Sequence, residues 1–401
     1  MRPAMAGKRS RFSVSDRFDI VVVGAGPVGL LGALAFARAG RSVCLVGPLP
    51  EGRDGRTAAL LAPSIALLED LGLWPMLAAE AAPLRRLRIV DDSGSLFRPP
   101  PVEFAPDELG LDAFGWNIEN ARLAEVLAEA VKAEGIAWRP VMAADLGEGE
   151  AAHVRLADGS TIAADLVVAA DGRRSRIRDA AGIDVSETRY PQVAVTAILR
   201  HTREHGSVST EFHKRGGPLT LVPMPERDGS QRRSSLVWVT SPHHAKRLGA
   251  LDDAAFAEAV AAASHRLLGD MAPGGPRGAV PLAAMRAKRF YGPRLALAGE
   301  AAHVLPPIGA QGLNLGFSDI AALRALLAEG GDPGSPTHLS RYDRARRCDA
   351  GLRAFAVDRL NRALLSSSPL LDAVRGVGLG ILGHIPPLRR AVMQAGLPSR
   401  G

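Results

Sequence analysis

Gly299-Glu300-Ala301-Ala302-His303-Val304-Leu305-Pro306-Pro307-Ile308-Gly309-Ala310-Gln311-Gly312-Leu313-Asn314 is the stretch that decides how this chain is read. A short apolar run, Leu295-Ala296-Leu297-Ala298, predicts a strand before it, and the apolar spacing over 315–327 predicts a helix after it. A carboxylate at a strand end, here Glu300, suits the hydroxyls of a polyol. A helix whose first turn is wrapped in glycine offers free backbone N–H groups to a polar ring edge or an oxyanion. Pro306-Pro307 stiffens the loop that aims those donors. The same residues also describe an ordinary surface loop with a glycine-rich helix entry, so the rest of the chain has to decide.

Near the start, residues 18–23 read as a buried parallel strand, and Gly24-Ala25-Gly26-Pro27-Val28-Gly29 follows at once, opening a helix to about Gly40. Residues 41–46 supply the second strand of a βαβ unit. In that context the first glycine turns the chain, the second admits a pyrophosphate to the backbone, and the third packs helix on strand. One piece of the fingerprint is missing. The position that holds the ribose acid is Gly47, and Gly47→Glu is expected to leave dinucleotide binding unchanged or to tighten it. Residues 20–37 are long and uncharged enough to suggest a membrane span, but the glycines and the β-branched start predict a strand turning into a buried helix.

Residues 54–71 predict one amphipathic helix with Arg56 in its first turn, and residues 117–132 a second, with Asn120 as a candidate N-cap. Residues 74–82 continue helical, residues 84–90 and 94–97 read as strands, and 99–112 as a proline-rich loop. Residues 137–158 alternate like a β-meander. A buried strand over 161–170 ends in Ala170-Asp171-Gly172-Arg173-Arg174-Ser175-Arg176-Ile177-Arg178, where Asp171 beside four arginines by itself describes a salt-bridged turn. Strand periodicity returns over 193–200, 208–213, 219–224 and 235–240, and residues 241–268 read as helix. The pattern over 340–365 is a long arginine-rich helix, followed by an apolar, glycine-studded stretch over 370–385.

Together these motifs resemble the FAD-dependent aromatic hydroxylases typified by para-hydroxybenzoate hydroxylase, where Gly-Asp-Ala-Ala-His, Pro-Pro and Gly-x-x-Gly-Leu-Asn occur in this order. Glu300 stands where that family has Asp. The resemblance implies a Rossmann-like α/β FAD-binding domain of glutathione-reductase type, interleaved with a β-sheet substrate domain and followed by C-terminal helices. It divides the chain into a basic arm (1–17), an FAD-binding domain (18–85, 115–185 and 285–345), a substrate domain (86–114 and 186–284) and a helical segment (346–401). It implies FAD contacts at Gly24, Gly26, Pro27, Gly29, Arg56, Asn120, Asp171, Glu300, Pro307, Gly312, Leu313 and Asn314. Candidate substrate contacts are Pro306, Pro307 and Pro223. No catalytic side chain stands out; His303 reads as a structural hydrogen bond, and only Tyr190, Tyr291 and Tyr342 offer a phenolic relay.

The details most resemble the ubiquinone-biosynthesis branch. That implies a polyprenylated phenol as substrate, NADPH or NADH as reductant, O2, and hydroxylation through a flavin C4a-hydroperoxide, with other ubiquinone-pathway proteins as partners. Two alternatives stay open: a relative with the same fold acting on a different aromatic ring, or a non-catalytic scaffold carrying FAD and lipid. The halogenase signature Trp-x-Trp-x-Ile-Pro is absent, Trp238-Val239-Thr240 being the nearest match.

Composition narrows the setting. The 401 residues carry a net charge of +7, yet only 5 of the 49 basic residues are Lys. So heavy an arginine bias, scattered along the chain, predicts no nucleic-acid partner, while a weak attraction to anionic membrane stays open. Residues 1–17 lack the apolar core of a secretory signal. Cys44 and Cys348 build no disulfide framework, no metal-ligand spacing occurs, and a cytoplasmic setting, peripheral to the inner face of the membrane, fits best.

Overall fold

A computed structural model describes residues 16–50, 52, 55–94, 100–147, 149–226, 229, 231–306, 311–365 and 390, without the side chains of 354–365. The expected strand at 94–97 and the apolar stretch at 370–385 therefore lie largely or wholly outside the described residues, as does Pro307. β1 (Asp16–Val23) buries its last four residues, turns at Gly24 into α1 (Pro27–Arg38), and returns as β2 (Val43–Val46), every residue of which is buried.

The next stretch departs from expectation. Residues 54–71 form β3 (Thr57–Leu61) and then α2 (Ala62–Asp70), rather than one helix. Pro63 sits in the first turn of α2 and lacks the N–H that a continuous helix needs, so the helix has to start there. After α3 (Trp74–Ala78) come β4 (Ala81–Pro83), β5 (Arg86–Asp92), β6 (Val102–Phe104) and β7 (Gly115–Glu119). β6, with a short 3-10 turn over Pro106–Leu109, replaces part of the expected loop. α4 (Asn120–Ala133) begins three residues later than predicted, because Asn117–Glu119 complete β7, held between β3 and β4. Pairing thus overrides local helix propensity.

β8 (Ala137–Arg139), β9 (Ala143–Gly147), β10 (Ala152–Leu156) and β11 (Thr161–Ala169) lead to α5 (Arg176–Ala180). Then follow β12 (Val185–His201), β13 (Val208–Lys214), β14 (Gly217–Pro223) and β15 (Arg233–Thr240). α6 (Pro242–Gly249) and α7 (Asp253–Ala263) split the helix expected over 241–268, since Ser241 and Asp252 each cap a new start. The chain continues through β16 (Met271–Ala287), β17 (Tyr291–Gly292), β18 (Leu295–Leu297), β19 (His303–Val304), α8 (Gln311–Ala328) and α9 (Pro336–Leu365).

Among the described residues the strands form three sheets. The first runs β17-β18-β11-β1-β2-β8, with parallel pairing from β18 to β8 and β10 and β9 appended to β11; β8 therefore joins β2 instead of a meander. α1, α4 and α8 pack around it over a core that includes Val22, Leu34, Phe36, Leu45, Leu127, Val168 and Ile320. The second runs β19-β16-β12-β15-β14-β13-β5-β6, and the third is the small ribbon β3-β7-β4. On the second sheet, Val195, Ala197 and Leu199 of β12 and Leu236 and Trp238 of β15 share a core with Leu248, Phe256 and Val260 of α6 and α7. Strand alternation turns Ala194, Thr196, Ile198, Ser235, Val237 and Val239 to the opposite face. The architecture is the Rossmann-like α/β layer with an interleaved β-sheet that the sequence predicts.

Candidate active site

The glycines at the end of β1 have different duties. Gly24 has φ +110°, and a Cβ there would lie 2.3 Å from the Ala170 carbonyl oxygen, so it marks a close approach to β11. A Cβ on Gly29 would lie 1.8 Å from the Gly24 oxygen, so Gly29 is a packing position. Around Gly26 a Cβ would meet nothing within 4 Å. Gly26 caps α1 without a side-chain hydrogen bond, and the first turn of α1 holds no acidic residue. The result is an open helix N-terminus with unspent N–H groups and a positive dipole end, ready for an anion.

The Glu300 loop meets this N-terminus through one side chain of α1. Val28 of α1 lies between two glycines: a Cβ would stand 3.2 Å from Val28 Cγ2 at Gly299 and 2.6 Å from it at Gly316. Glu300 follows, exposed, with no hydrogen bond or ion pair to a described residue. Beneath it, Asp319 of α8 is fully buried. Its Oδ2 accepts from Gly299 N at 2.9 Å and from His303 Nε2 at 2.7 Å, while Oδ1 accepts from Arg346 Nε at 2.7 Å. Burial pushes the Asp319 carboxyl up, but His303 and Arg346 more than offset this and hold it below the usual range. His303 is thus the structural hydrogen bond the sequence suggested. Asp319 and Arg346 were missed, although an acid inside the apolar pattern of residues 315–327 was the available signal.

At the start of α8, Gly312 has open space where a Cβ would be. Asn314 is fully buried: Nδ2 donates to Ala59 O at 2.8 Å, and Oδ1 accepts from Leu61 N at 2.8 Å and Ser64 Oγ at 2.7 Å. Its side chain clamps α8 to β3 and α2. Asn120 is not the N-cap of α4; Glu119 holds that position, and Asn120 N donates to the Arg56 carbonyl at 3.1 Å. Asn120 Oδ1 is buried without a partner. Arg56 is exposed at the entry to β3.

Asp171 does not form the ion pair its arginine neighbours suggested. Its Oδ2 accepts from Ile177 N at 3.3 Å, Oδ1 is buried without a partner, and burial raises its carboxyl above the usual value. Arg178, the last of those four arginines, is 5% exposed and donates to Ala301 O at 3.2 Å and to Arg173 O at 3.1 Å. It ties the Asp171 turn to the residue after Glu300.

Gly47 corrects an expectation. Its φ is +127°, and a Cβ would lie 3.4 Å from Ala25 N, against the glycine turn itself. The position demands glycine for backbone reasons, so a Glu there is strained and the expected neutral or tighter binding does not follow. Pro306 is buried, and Pro223 is buried with its carbonyl accepting from Asn117 Nδ2 at 2.8 Å. Tyr342 is fully buried and donates to Leu297 O at 2.7 Å, which removes it as a relay. Tyr190 packs beside Val237 and Val239 on the second face of the large sheet.

That face is turned toward the site. Thr57 Oγ1 of β3 meets Ser235 Oγ of β15 at 2.9 Å, and Asn117 Nδ2 of β7 lies 3.3 Å from the same hydroxyl. The ribbon β3-β7-β4, which presents Arg56 and Asn120 at one end, is therefore covered by this face of the large sheet, which it meets through Thr57, Asn117 and Ser235. Among the described residues no cluster of side chains suits a metal ion.

An open helix N-terminus, free space at Gly26 and Gly312, an exposed acid one loop away and orphaned oxygens on Asn120 and Asp171 together fit a dinucleotide with a polyol linker. The chain belongs to the family described as FAD binding domain, which matches residues 17–351. It is 33% identical over 389 residues to ubiquinone hydroxylase UbiL of Rhodospirillum rubrum, covering 94% of this chain and 88% of that protein. It is 29% identical to 3-demethoxyubiquinol 3-hydroxylase of Escherichia coli, covering 94% and 98%. Among solved structures, p-nitrophenol 4-monooxygenase PnpA of Pseudomonas putida superposes with a TM-score of 0.75 at 20% identity, covering 95% of this chain and 98% of that one. The family resemblance read from the motifs holds along nearly the whole chain.

Proposed function

We propose that this protein hydroxylates the aromatic ring of a polyprenylphenol intermediate in ubiquinone biosynthesis. It is a flavin-dependent aromatic monooxygenase. The observation that carries the substrate class is the apolar cluster of Ala194, Val237, Val239 and Leu282 on the sheet face that meets the ribbon β3-β7-β4. It suits a ring bearing a hydrocarbon chain better than a charged benzoate. The near full-length similarity to the two ubiquinone-pathway hydroxylases points the same way.

Bound FAD supplies the activation of O2 and the transfer of one oxygen atom to the ring, the other leaving as water with two electrons from a reductant of the nicotinamide class. The chain's own residues do the rest. The α1 N-terminus at Gly26 and Pro27, with Arg56 nearby, holds the pyrophosphate. Glu300 accepts from ribitol hydroxyls, and the backbone at Gly312 to Asn314, with Pro307 in the same loop, orients the ring system. Asp171 and Asn120 supply further acceptors, while Gly24 and Gly29 keep the turn tight. The Pro306 and Pro223 regions line the substrate side and, with the sheet face, exclude water from the reacting ring.

A polyprenyl tail is too apolar to wait in water, so the enzyme meets its substrate at a membrane surface or through another pathway protein. No helix among the described residues is long and apolar enough to cross a membrane. The test is turnover of FAD-loaded protein with NADPH or NADH and a 2-polyprenylphenol under 18O2. One labelled oxygen on the ring is expected. Reductant oxidation with no oxygen added to the ring would overturn the assignment, and absence of any turnover would favour the scaffold.

A further inference from the structure

Between α9 and β16 lies an open pocket of about 500 Å³ lined by Arg286, Tyr291, Ser340, Asp343, Arg344, Arg347 and Cys348. Ser340, Arg344 and Arg347 fall on one face of α9 at helical spacing. Arg286 reaches them from β16, across the helix. Arg286 lies against Gly351, where a Cβ would stand 2.8 Å from Arg286 Nη1 and shift the guanidinium.

The charges do not balance. Asp343 is the pocket's one acid among the described residues, and it is already engaged: Oδ1 accepts from Phe290 N at 2.7 Å, and Oδ2 accepts from Arg347 Nη1 at 3.3 Å. Arg286 and Arg344 make no hydrogen bond or ion pair with a described residue, and Arg347 Nε is buried without a partner. Three guanidinium groups gathered around one carboxylate repel one another, and a buried N–H left unmade is costly. A tetrahedral oxyanion resolves both, because its oxygens match the guanidinium fork. The Tyr291 hydroxyl adds a further neutral donor at the wall; Ser340 Oγ already donates to Thr337 O at 3.0 Å.

We propose that this pocket is a binding site for a phosphate group, separate from the flavin site and served by Arg286, Arg344 and Arg347. Such a group comes either from a phospholipid headgroup or from a soluble phosphate compound. The site rests on the pocket alone and stands whether or not the substrate is a polyprenylphenol.

The experiment uses the full-length, FAD-loaded protein, so that the pyrophosphate site is already filled. Thermal unfolding is followed in inorganic phosphate and in chloride at equal ionic strength, for the wild type, for Arg286→Gln/Arg344→Gln, and for Gly351→Ala, which displaces Arg286 while keeping every arginine. Phosphate is expected to raise the wild-type Tm saturably above chloride, and the effect is expected to weaken by ~10-fold or more in concentration dependence in both variants. Equal stabilisation of all three proteins, or none beyond chloride in the wild type, would overturn the proposal. Sedimentation with phosphatidylcholine vesicles, with and without phosphatidylglycerol, then identifies the source. Binding only to the anionic vesicles, competed by phosphate and lost in the variants, assigns a lipid headgroup. Phosphate stabilisation without vesicle binding assigns a soluble phosphate compound.

Discussion

At the scale of single residues, backbone geometry and burial decide roles that residue type leaves open. Gly47 looks like a missing acid in sequence, yet its φ of +127° favours glycine and strains any side chain placed there. Both Gly47→Glu and Gly47→Ala are expected to cost about 1–3 kcal/mol of stability and to weaken FAD retention, as read by flavin absorbance after gel filtration. Tighter binding in the Glu variant with a loss in the Ala variant would show that the carboxylate outweighs the strain. Asp319 is the converse case, a charge that only its partners make tolerable. Asp319→Asn should lower the unfolding free energy by about 1.5–3 kcal/mol at pH 7, since it removes the buried charge shared by His303 and Arg346, although Arg346 keeps Asp349. The folded-state carboxyl of Asp319 is depressed, so its contribution is fully present above the ordinary value of about 3.9 and is lost as pH falls through the depressed one. The gap between wild type and variant in urea titrations should therefore hold from pH 7 to about pH 4 and narrow below it. A gap that does not change with acidification would contradict the charge network.

At the scale of elements, α1 shows how one glycine motif separates binding from folding. Gly26 has open space beyond its Cα and Gly29 has none, the Gly24 oxygen lying 1.8 Å from its virtual Cβ. Gly26→Val is expected to leave a folded apoprotein, with circular dichroism unchanged and FAD lost. Gly29→Val is expected to fail at folding, because α1 can no longer lie on β1. If Gly29→Val gives a stable protein, the packing role is wrong. If Gly26→Val keeps its flavin, the pyrophosphate site lies elsewhere. α8 unites the two halves of the site in a similar way: Asn314 clamps β3 from one side of the helix while Asp319 holds Gly299 and His303 from the other.

At the scale of the molecule, the large sheet and the small ribbon meet through few polar contacts. Asn117 Nδ2 reaches both Pro223 O and Ser235 Oγ, and Asn117 is 1% exposed. Asn117→Ala leaves a buried carbonyl unpaired, a cost of about 1–3 kcal/mol, and loosens the roof over the flavin site. The expected outcome is retained FAD with poorer coupling, measured as ring-hydroxylated product formed per nicotinamide oxidised. Unchanged coupling would mean that the apolar face alone positions the roof.

The sequence by itself determined the parts whose signal is local. The βαβ unit of residues 18–46, the Glu300 loop and the alternating strands from 193 to 240 carry their periodicity and turn chemistry within a short window, and a fold built from them is legible. Only the tertiary structure decided what depends on residues far apart in the chain. Residues 57–61 and 117–119 become strands because they find each other, against the helical leaning of each segment alone. The positive φ at Gly47 is adopted where β2 ends beside Gly24 and Arg139, both far away in the chain. Arg346 acquires its place from an aspartate 27 residues away. Long-range pairing, steric contact and buried charge compensation depend on which segments meet, and no single window of sequence records that.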